Sequence, residues 1–227
     1  MHKPQVTIAE SHDGILAMLR TAGDAQLDRL AFDVEWFVRD TVCVAQDLIG
    51  AILVRQDSDG QLLAARIVET EAYLADDPAS HSWRGPTRRN RAMFERGGCL
   101  YVYRIYGVHR CVNIVTGPVG VGTAVLLRAA EPLIGIERMV ERRGRHMPMA
   151  KLLSGPANLA RAFGFDLDDN CRTCCGDGVW VLSPVVPPRR IGVSPRIGIA
   201  RAAERLLRFF DLDSPAVSAH RRSVSQV

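Results

Sequence analysis

Residues 64–73 constrain the fold of this chain most, because their composition predicts a β-strand with two carboxylates on one face. Side chains two positions apart in a strand point the same way. Burying two carboxylates and a tyrosine without partners is costly, so that face is predicted to line a cleft. The side chains assigned to it are Ile67, Glu69, Glu71 and Tyr73.

Aromatic and positive residues are concentrated just after this strand. All four tyrosines lie between residues 73 and 106, and residues 84–110 hold seven arginines and one acid, Glu95. The first 47 residues instead carry eight acids and four bases, which points to one basic face. Bases are held by stacking and phosphates by cations, so this segment has the chemistry of an enzyme acting on a nucleobase.

The composition is that of an ordinary soluble domain, with 47% hydrophobic and 24% charged residues in 227. No apolar run approaches the about 20 residues of a membrane span, and the amino terminus lacks a secretory signal pattern. We therefore expect a cytoplasmic protein, associated with the nucleoid in a prokaryote, without a membrane partner. Residues 1–30 are acidic and predict a poorly ordered or loosely helical extension to a domain at 31–227.

Turn and capping signals divide the rest of the chain into short elements. A hairpin is predicted with its turn at residues 107–109, beside Tyr106. The predicted helices cover 41–49, 87–96, 132–143 and 154–163, and the predicted strands cover 51–55, 64–73, 99–106, 110–116, 124–130, 179–182 and 190–200.

Six cysteines in a chain without a secretory signal are expected to be free thiols. Cys171 and Cys174 have C-x-x-C spacing, and Cys175 follows directly. No second pair and no nearby histidine would complete a four-ligand zinc site. A variable surface loop is therefore favoured over a metal site.

Six short motifs follow one another along the chain: Glu69-Thr70-Glu71-Ala72-Tyr73 with His81, Arg89-Asn90 with Met93-Phe94, Leu100-Tyr101-Val102-Tyr103, Ile105-Tyr106-Gly107, Val125-Leu126-Leu127-Arg128-Ala129, and Glu131-Pro132. Their order and spacing resemble the alkyladenine (3-methyladenine) DNA glycosylase family, from about Leu27 to Ser218. The resemblance implies a single-domain α+β fold with a curved, mostly antiparallel β-sheet, peripheral helices and a DNA-intercalating β-hairpin. It also implies a monomer that binds double-stranded DNA containing damaged purines, without cofactor or metal.

Hydrolysis of an N-glycosidic bond needs a carboxylate that activates water beside C1′ and stabilises the charge developing on the sugar. By resemblance, Glu71 matches the family's general base, and Arg128 matches a buried arginine that orders the water and the carboxylate. Glu69 lies on the same predicted face and is the rival candidate. We assign Glu69 a structural, hydrogen-bonding role.

The resemblance also implies residues for base flipping and DNA binding. Tyr73, His81 and Tyr103 match positions that sandwich and contact the extruded base. Asn113 matches a pocket amide that hinders the exocyclic amino group of guanine. Tyr106 matches the tyrosine that fills the space left in the duplex. Contacts to the DNA backbone are expected from Arg84, Arg88, Arg89 and Arg91.

The predicted function is hydrolysis of alkylated purines from duplex DNA after base flipping, the first step of base-excision repair. Lys151 is the only lysine in the predicted domain and lies outside the motifs, so we expect a monofunctional enzyme without lyase activity. Two other classes remain as alternatives: a catalytically silent protein that binds damaged DNA, and an RNA-binding module. The sequence does not rank 3-methyladenine, 7-methylguanine, hypoxanthine and ethenoadenine as substrates.

Three positions depart from the family pattern. Asn158 stands where a basic residue is frequent, which predicts the loss of one phosphate contact. Leu206 and Ala216 stand where the family commonly has a proline and an aromatic residue. DNA contacts of the carboxy-terminal segment are therefore left open.

Overall fold

The computed structural model describes residues 12–144, 146–184, 190–218 and 225–226. Within them, seven α-helices flank one curled sheet of ten strands whose pairs are all antiparallel, which is the predicted single-domain α+β class. The helices are α1 His12–Thr21, α2 Asp24–Leu30, α3 Val34–Phe37, α4 Thr41–Asp47, α5 Ile136–Arg143, α6 Met149–Leu152 and α7 Pro156–Phe163. The strands are β1 Ile52–Gln56, β2 Leu62–Tyr73, β3 Leu100–Ile105, β4 His109–Thr116, β5 Thr123–Ile134, β6 Cys175–Gly176, β7 Val179–Leu182, β8 Ile191–Ser194, β9 Arg208–Asp211 and β10 Ser225–Gln226.

Strand β2 organises the sheet because it is hydrogen-bonded on both edges. One edge pairs with β5, and the other pairs first with β1 and then with β9. Two register shifts interrupt the ladder with β5 between Ile67 and Thr70. Bulges of this kind bend a strand and increase its twist, which helps to curl the sheet.

The bulge also changes which side chains share a face of β2. Ile67 and Ala72 lie in the main core, and the Thr70 hydroxyl donates to the Ala45 carbonyl of α4 at 2.8 Å. Glu69 and Glu71 instead both contact Arg128. The predicted shared face is therefore wrong for Ile67, because strict alternation fails across a bulge.

The main core lies between one sheet face and helices α4 and α7. Leu48, just after α4, and Phe163 of α7 are fully buried in the same core as strand residues such as Val112 and Leu127. Burial of each such side chain stabilises the fold by about 1.5–3 kcal/mol. The packing holds β2, β4 and β5 in place, and these strands carry Glu71, Tyr73, Asn113 and Arg128 among the predicted site residues.

Residues 12–30 differ from the expected loose extension. Ile15 and Leu19 of α1 and Leu27 of α2 are buried in a second apolar cluster with Trp180 of β7. Asp28 accepts a hydrogen bond from the indole nitrogen of Trp180 at 2.7 Å. Ile15 and Leu19 lie one helical turn apart on the buried side of α1, so an acidic composition does not prevent docking. Residues 1–11 of the expected extension lie outside the described residues.

Other boundaries also differ from prediction. Pro132 lies in β5, at an irregularity in its ladder with β2 where proline is tolerated, so α5 begins only after Gly135. The helix predicted over 87–96 is a single 3₁₀ turn, Arg91–Phe94. The strand predicted over 190–200 is reduced to β8, and β9 was not predicted. The helix predicted from residue 154 is confirmed as α7, with proline at its first turn.

Candidate active site

Two glutamates of β2 and two arginines form a connected network of ion pairs. Arg208 of β9 donates to Glu69 at 2.7 Å, and Arg128 of β5 donates to the same oxygen at 2.9 Å. Arg128 also lies 3.2 Å from Glu71. Both carboxylates are fully buried, so they do not line a cleft as predicted. The paired guanidiniums offset the desolvation that made such burial look too costly.

Both carboxylate oxygens of Glu69 accept hydrogen bonds from neighbouring residues. Besides the two arginines, Oε1 accepts a hydrogen bond from the Ser218 hydroxyl at 2.8 Å and Oε2 accepts one from the Ser218 amide at 2.6 Å. These contacts join β2, β5, β9 and the segment after β9. The geometry agrees with the structural role predicted for Glu69.

Glu71 lies nearer the pocket and has different partners. Its Oε2 accepts from the Tyr73 hydroxyl at 2.9 Å, and its Oε1 accepts from the Ile197 amide at 2.8 Å. Burial raises the pKa of Glu71 above its usual range, and the Arg128 charge opposes that rise. Tyr73 lines the pocket, so the carboxylate lies one side chain beneath the pocket wall.

The pocket has a volume of about 510 Å³ and gathers the predicted base-binding residues. Tyr73, His81, Tyr103 and Asn113 all line it. The His81 and Tyr103 rings lie 4.6 Å apart at an interplanar angle of 75°, which forms an aromatic corner. The amide nitrogen of Asn113 donates to the Tyr101 carbonyl at 3.0 Å, which fixes its orientation.

Tyr101 also lines this pocket but was not predicted as a site residue. Its hydroxyl lies 2.9 Å from Nδ1 of His81, and its ring stacks on Tyr103 at 5.3 Å. The two tyrosines are two residues apart in β3, so strand alternation could have identified Tyr101. Ile197 and Arg201 also line the pocket, and no local motif indicated that their loop would fold over it.

The β3–β4 hairpin is present, with a turn different from the predicted one. Tyr106 and Gly107 occupy its centre with φ of 51° and 72°, and the Val108 amide donates to the Ile105 carbonyl at 3.3 Å. Left-handed backbone at a tyrosine costs about 1–2 kcal/mol. Tyr106 is 87% exposed, so its ring projects from a strained turn at the pocket margin.

A family model, methylpurine-DNA glycosylase, matches residues 35–215. The chain belongs to the methylpurine-DNA glycosylase family. Membership identifies it as a DNA glycosylase, a hydrolase that acts on N-glycosyl bonds. Two similar proteins are each named "Putative 3-methyladenine DNA glycosylase". The one from Methanoculleus marisnigri is 48% identical over 81% of this chain and 96% of its own length, and the one from Chlorobaculum parvum is 48% identical over 82% and 90%.

The arginines at positions 84–91, in the segment after His81, have few acidic partners. Arg84, Arg88 and Arg89 are exposed and form no ion pair within the described part of the chain. Arg91 lies 3.8 Å from Glu95, a distant surface pair that contributes little. The Arg89 side chain donates to the Arg104 carbonyl at 3.0 Å, which ties the loop after His81 to β3.

The departures from the family pattern have clear positions in this glycosylase. Asn158 donates to the Ser154 carbonyl at 2.6 Å within the first turn of α7. Ala216 is buried against Val68 and Phe210, whereas Leu206 is exposed. Ala216 is thus a core residue and has no surface to offer to DNA.

None of the described helices is long and apolar enough to cross a membrane. Across residues 12–144, 146–184, 190–218 and 225–226, no cluster of three or more histidine, cysteine or acidic side chains could hold a metal ion. The cysteines of the C-x-x-C segment are free thiols. Cys174 is buried, and Cys171 is exposed on the loop.

Proposed function

We propose that this protein hydrolyses the N-glycosidic bond of alkylated purines of the 3-methyladenine type in duplex DNA, the first step of base-excision repair. The observation that carries the proposal is a buried carboxylate, Glu71, beside an arginine at the base of an aromatic pocket. A carboxylate in that position can activate water against a sugar whose base occupies the pocket.

Glu71 is the general base in this mechanism, and Arg128 is its positioning residue. Water transfers a proton to Glu71 as its oxygen attacks C1′. The C1′–N bond breaks, and its electron pair leaves with the cationic purine, which is released as the neutral base. The carboxylate also stabilises the positive charge that develops on the sugar. Glu69 is already saturated by two arginines and Ser218, which makes it unsuitable as the base.

The pocket suits a purine that carries a positive charge. Aromatic faces attract cations, and Tyr73 and Tyr103 provide such faces. Partial burial and the nearby Arg89 charge lower the pKa of His81, so its imidazole is neutral near pH 7 and does not repel a cationic base. Asn113 forms part of the wall that hinders the exocyclic amino group of guanine.

Base flipping is assigned to Tyr106. A ring held outward on a short turn can enter the minor groove and fill the space that the base leaves. The strained backbone at Tyr106 supports a functional role, because strain of this kind is concentrated at functional sites. Arg84, Arg88, Arg89 and Arg91 then hold phosphates of the duplex.

The enzyme is monofunctional and leaves an abasic site. A lyase step needs an amine that attacks C1′ and forms a Schiff base. Lys151 is the only lysine in the described residues, and it does not line the base pocket. We also propose that the protein acts as a monomer, since one chain carries every residue of the mechanism.

A single-turnover base-release assay with Glu71→Gln tests the function. On a duplex with one 3-methyladenine, wild-type protein should release the free base, and the variant should do so at least about 100-fold more slowly. Binding of the same duplex should change little, because the carboxylate acts on the transition state. Wild-type binding without base release would instead identify a silent damage-binding protein. Normal turnover by Glu71→Gln would refute the assigned base.

A further inference from the structure

A second cleft of about 280 Å³ lies beside the base pocket. The two cavities share a wall formed by Pro78, His81, Tyr101 and Arg201. The remaining wall includes Trp83, Arg84, Thr87 and Arg89. The cleft is thus next to the flipped base but separated from it by the His81 and Tyr101 side chains.

Trp83 is the distinctive group in this cleft, because its indole is 46% exposed on an ordered loop. The buried Asn90 amide donates to the His81 and Gly85 carbonyls at 2.7 and 3.1 Å. The Ser82 hydroxyl donates to the Gly122 carbonyl at 2.5 Å. These bonds fix the backbone on both sides of Trp83, so the loop presents an aromatic face to solvent.

The cleft is also positively charged. Arg84, Arg89 and Arg201 form no ion pair within the described residues, whereas Arg205 pairs with Asp76 at 3.2 Å. Three unneutralised guanidiniums around one exposed indole have the chemistry of a nucleotide site, with stacking for a base and cations for a phosphate.

We propose that this cleft is a second nucleotide subsite, which takes the nucleotide next to the flipped one on the damaged strand. Trp83 stacks on the neighbouring base, and Arg84, Arg89 and Arg201 hold its phosphate. The proposal rests on the proposed glycosylase function, because the flipped nucleotide fixes where its neighbour lies. One consequence is a dependence on sequence context, since purine neighbours offer a larger stacking face than pyrimidines.

A thermodynamic cycle between Trp83 and single DNA bases tests this subsite. Three 3-methyladenine duplexes are compared: one intact, one with an abasic analogue at the immediate 5′ neighbour, and one with the analogue at the 3′ neighbour. Trp83→Ala should weaken binding of the intact duplex about 10-fold. On one of the two abasic duplexes, the one that lacks the base stacked on Trp83, Trp83→Ala should cause no loss. On the other abasic duplex the loss should remain. Trp83→Phe keeps a stacking face and should bind nearly as well as the wild type.

Intrinsic fluorescence gives an independent readout that needs no folded alanine variant. DNA titration should quench the wild-type emission more than that of Trp83→Phe, because the difference isolates Trp83 from Trp36 and Trp180. Equal quenching, or Trp83→Ala losses that are the same on all three duplexes, would overturn the subsite. In those cases base release by the wild type would leave the glycosylase proposal intact.

Discussion

The arginines buried beside Glu69 and the exposed arginines of the segment after His81 differ in burial and in partners. Arg128 and Arg208 have side chains that are 7% and 1% exposed, and both contact Glu69. Arg84 and Arg88 are exposed and form no ion pair with other described residues. Arginine is therefore present in this protein both as a buried partner of a carboxylate and as an exposed cation without an acidic partner among the described residues.

Solvation explains the difference. A buried guanidinium loses its hydration, so it needs a fixed carboxylate, and the pair becomes part of the fold. An exposed guanidinium keeps its hydration and can exchange counterions for phosphates. Substitutions in the buried network should therefore change stability, and substitutions of the exposed arginines should change the salt dependence of DNA binding.

Glu69→Ala should have the largest effect on stability. It leaves Arg128 and Arg208 buried without their shared carboxylate, and breaking a buried ion pair costs about 3–5 kcal/mol. Urea unfolding measures the loss. The control is Glu35→Gln, which removes an exposed pair with Arg96 and should cost at most about 1 kcal/mol. Similar losses in the two variants would contradict the proposed role of the buried network.

Tyr106→Ser should abolish most activity on duplex DNA while leaving the fold intact. The ring is 87% exposed, so it contributes little to the core. In the proposed mechanism it offsets part of the cost of a few kcal/mol for extruding a base. The penalty should be smaller when the lesion faces a mismatch that already weakens pairing. Single-turnover rates on matched and mismatched duplexes provide the measurement, with Tyr106→Phe as the control that keeps the ring. Equal penalties on both duplexes would rule out the wedge.

As the pH is lowered, the rate of base release should begin to fall at a higher pH than the pKa of a free glutamate would predict. Burial raises the pKa of Glu71 above 4.5, and only the ionised carboxylate can accept the proton from water. The active fraction therefore falls as pH falls through that raised pKa. Single-turnover rates against pH should show this limb in the wild type, and Glu71→Gln should lack it. An acid limb that persists in the variant would belong to another group.

Local sequence patterns predicted the elements that carry the site residues better than they predicted the long-range contacts that bring these elements together. Tyr73, His81, Tyr103 and Asn113 meet in one pocket as the motifs indicated. The bulge that turns Ile67 into the core was not predictable, because it depends on pairing with β5. Neither was the long-range contact of the Ile197 amide with Glu71, which joins residues far apart in sequence. Such contacts depend on the curl of the whole sheet, which no single window of sequence specifies.

The salt dependence of DNA binding separates the two arginine groups most directly, although its expected effect is the smallest. Arg88→Gln should reduce the magnitude of the slope of log affinity against log salt by about one, because one exposed cation no longer displaces a counterion. Arg138→Gln is the matched control, since Arg138 pairs with Asp59 in the turn between β1 and β2, at the other end of β2 from Tyr73. It should leave the slope unchanged. Equal changes in the two variants would mean that net charge governs binding, and the distinction between paired and unpaired arginines would then carry no information about the DNA-binding face.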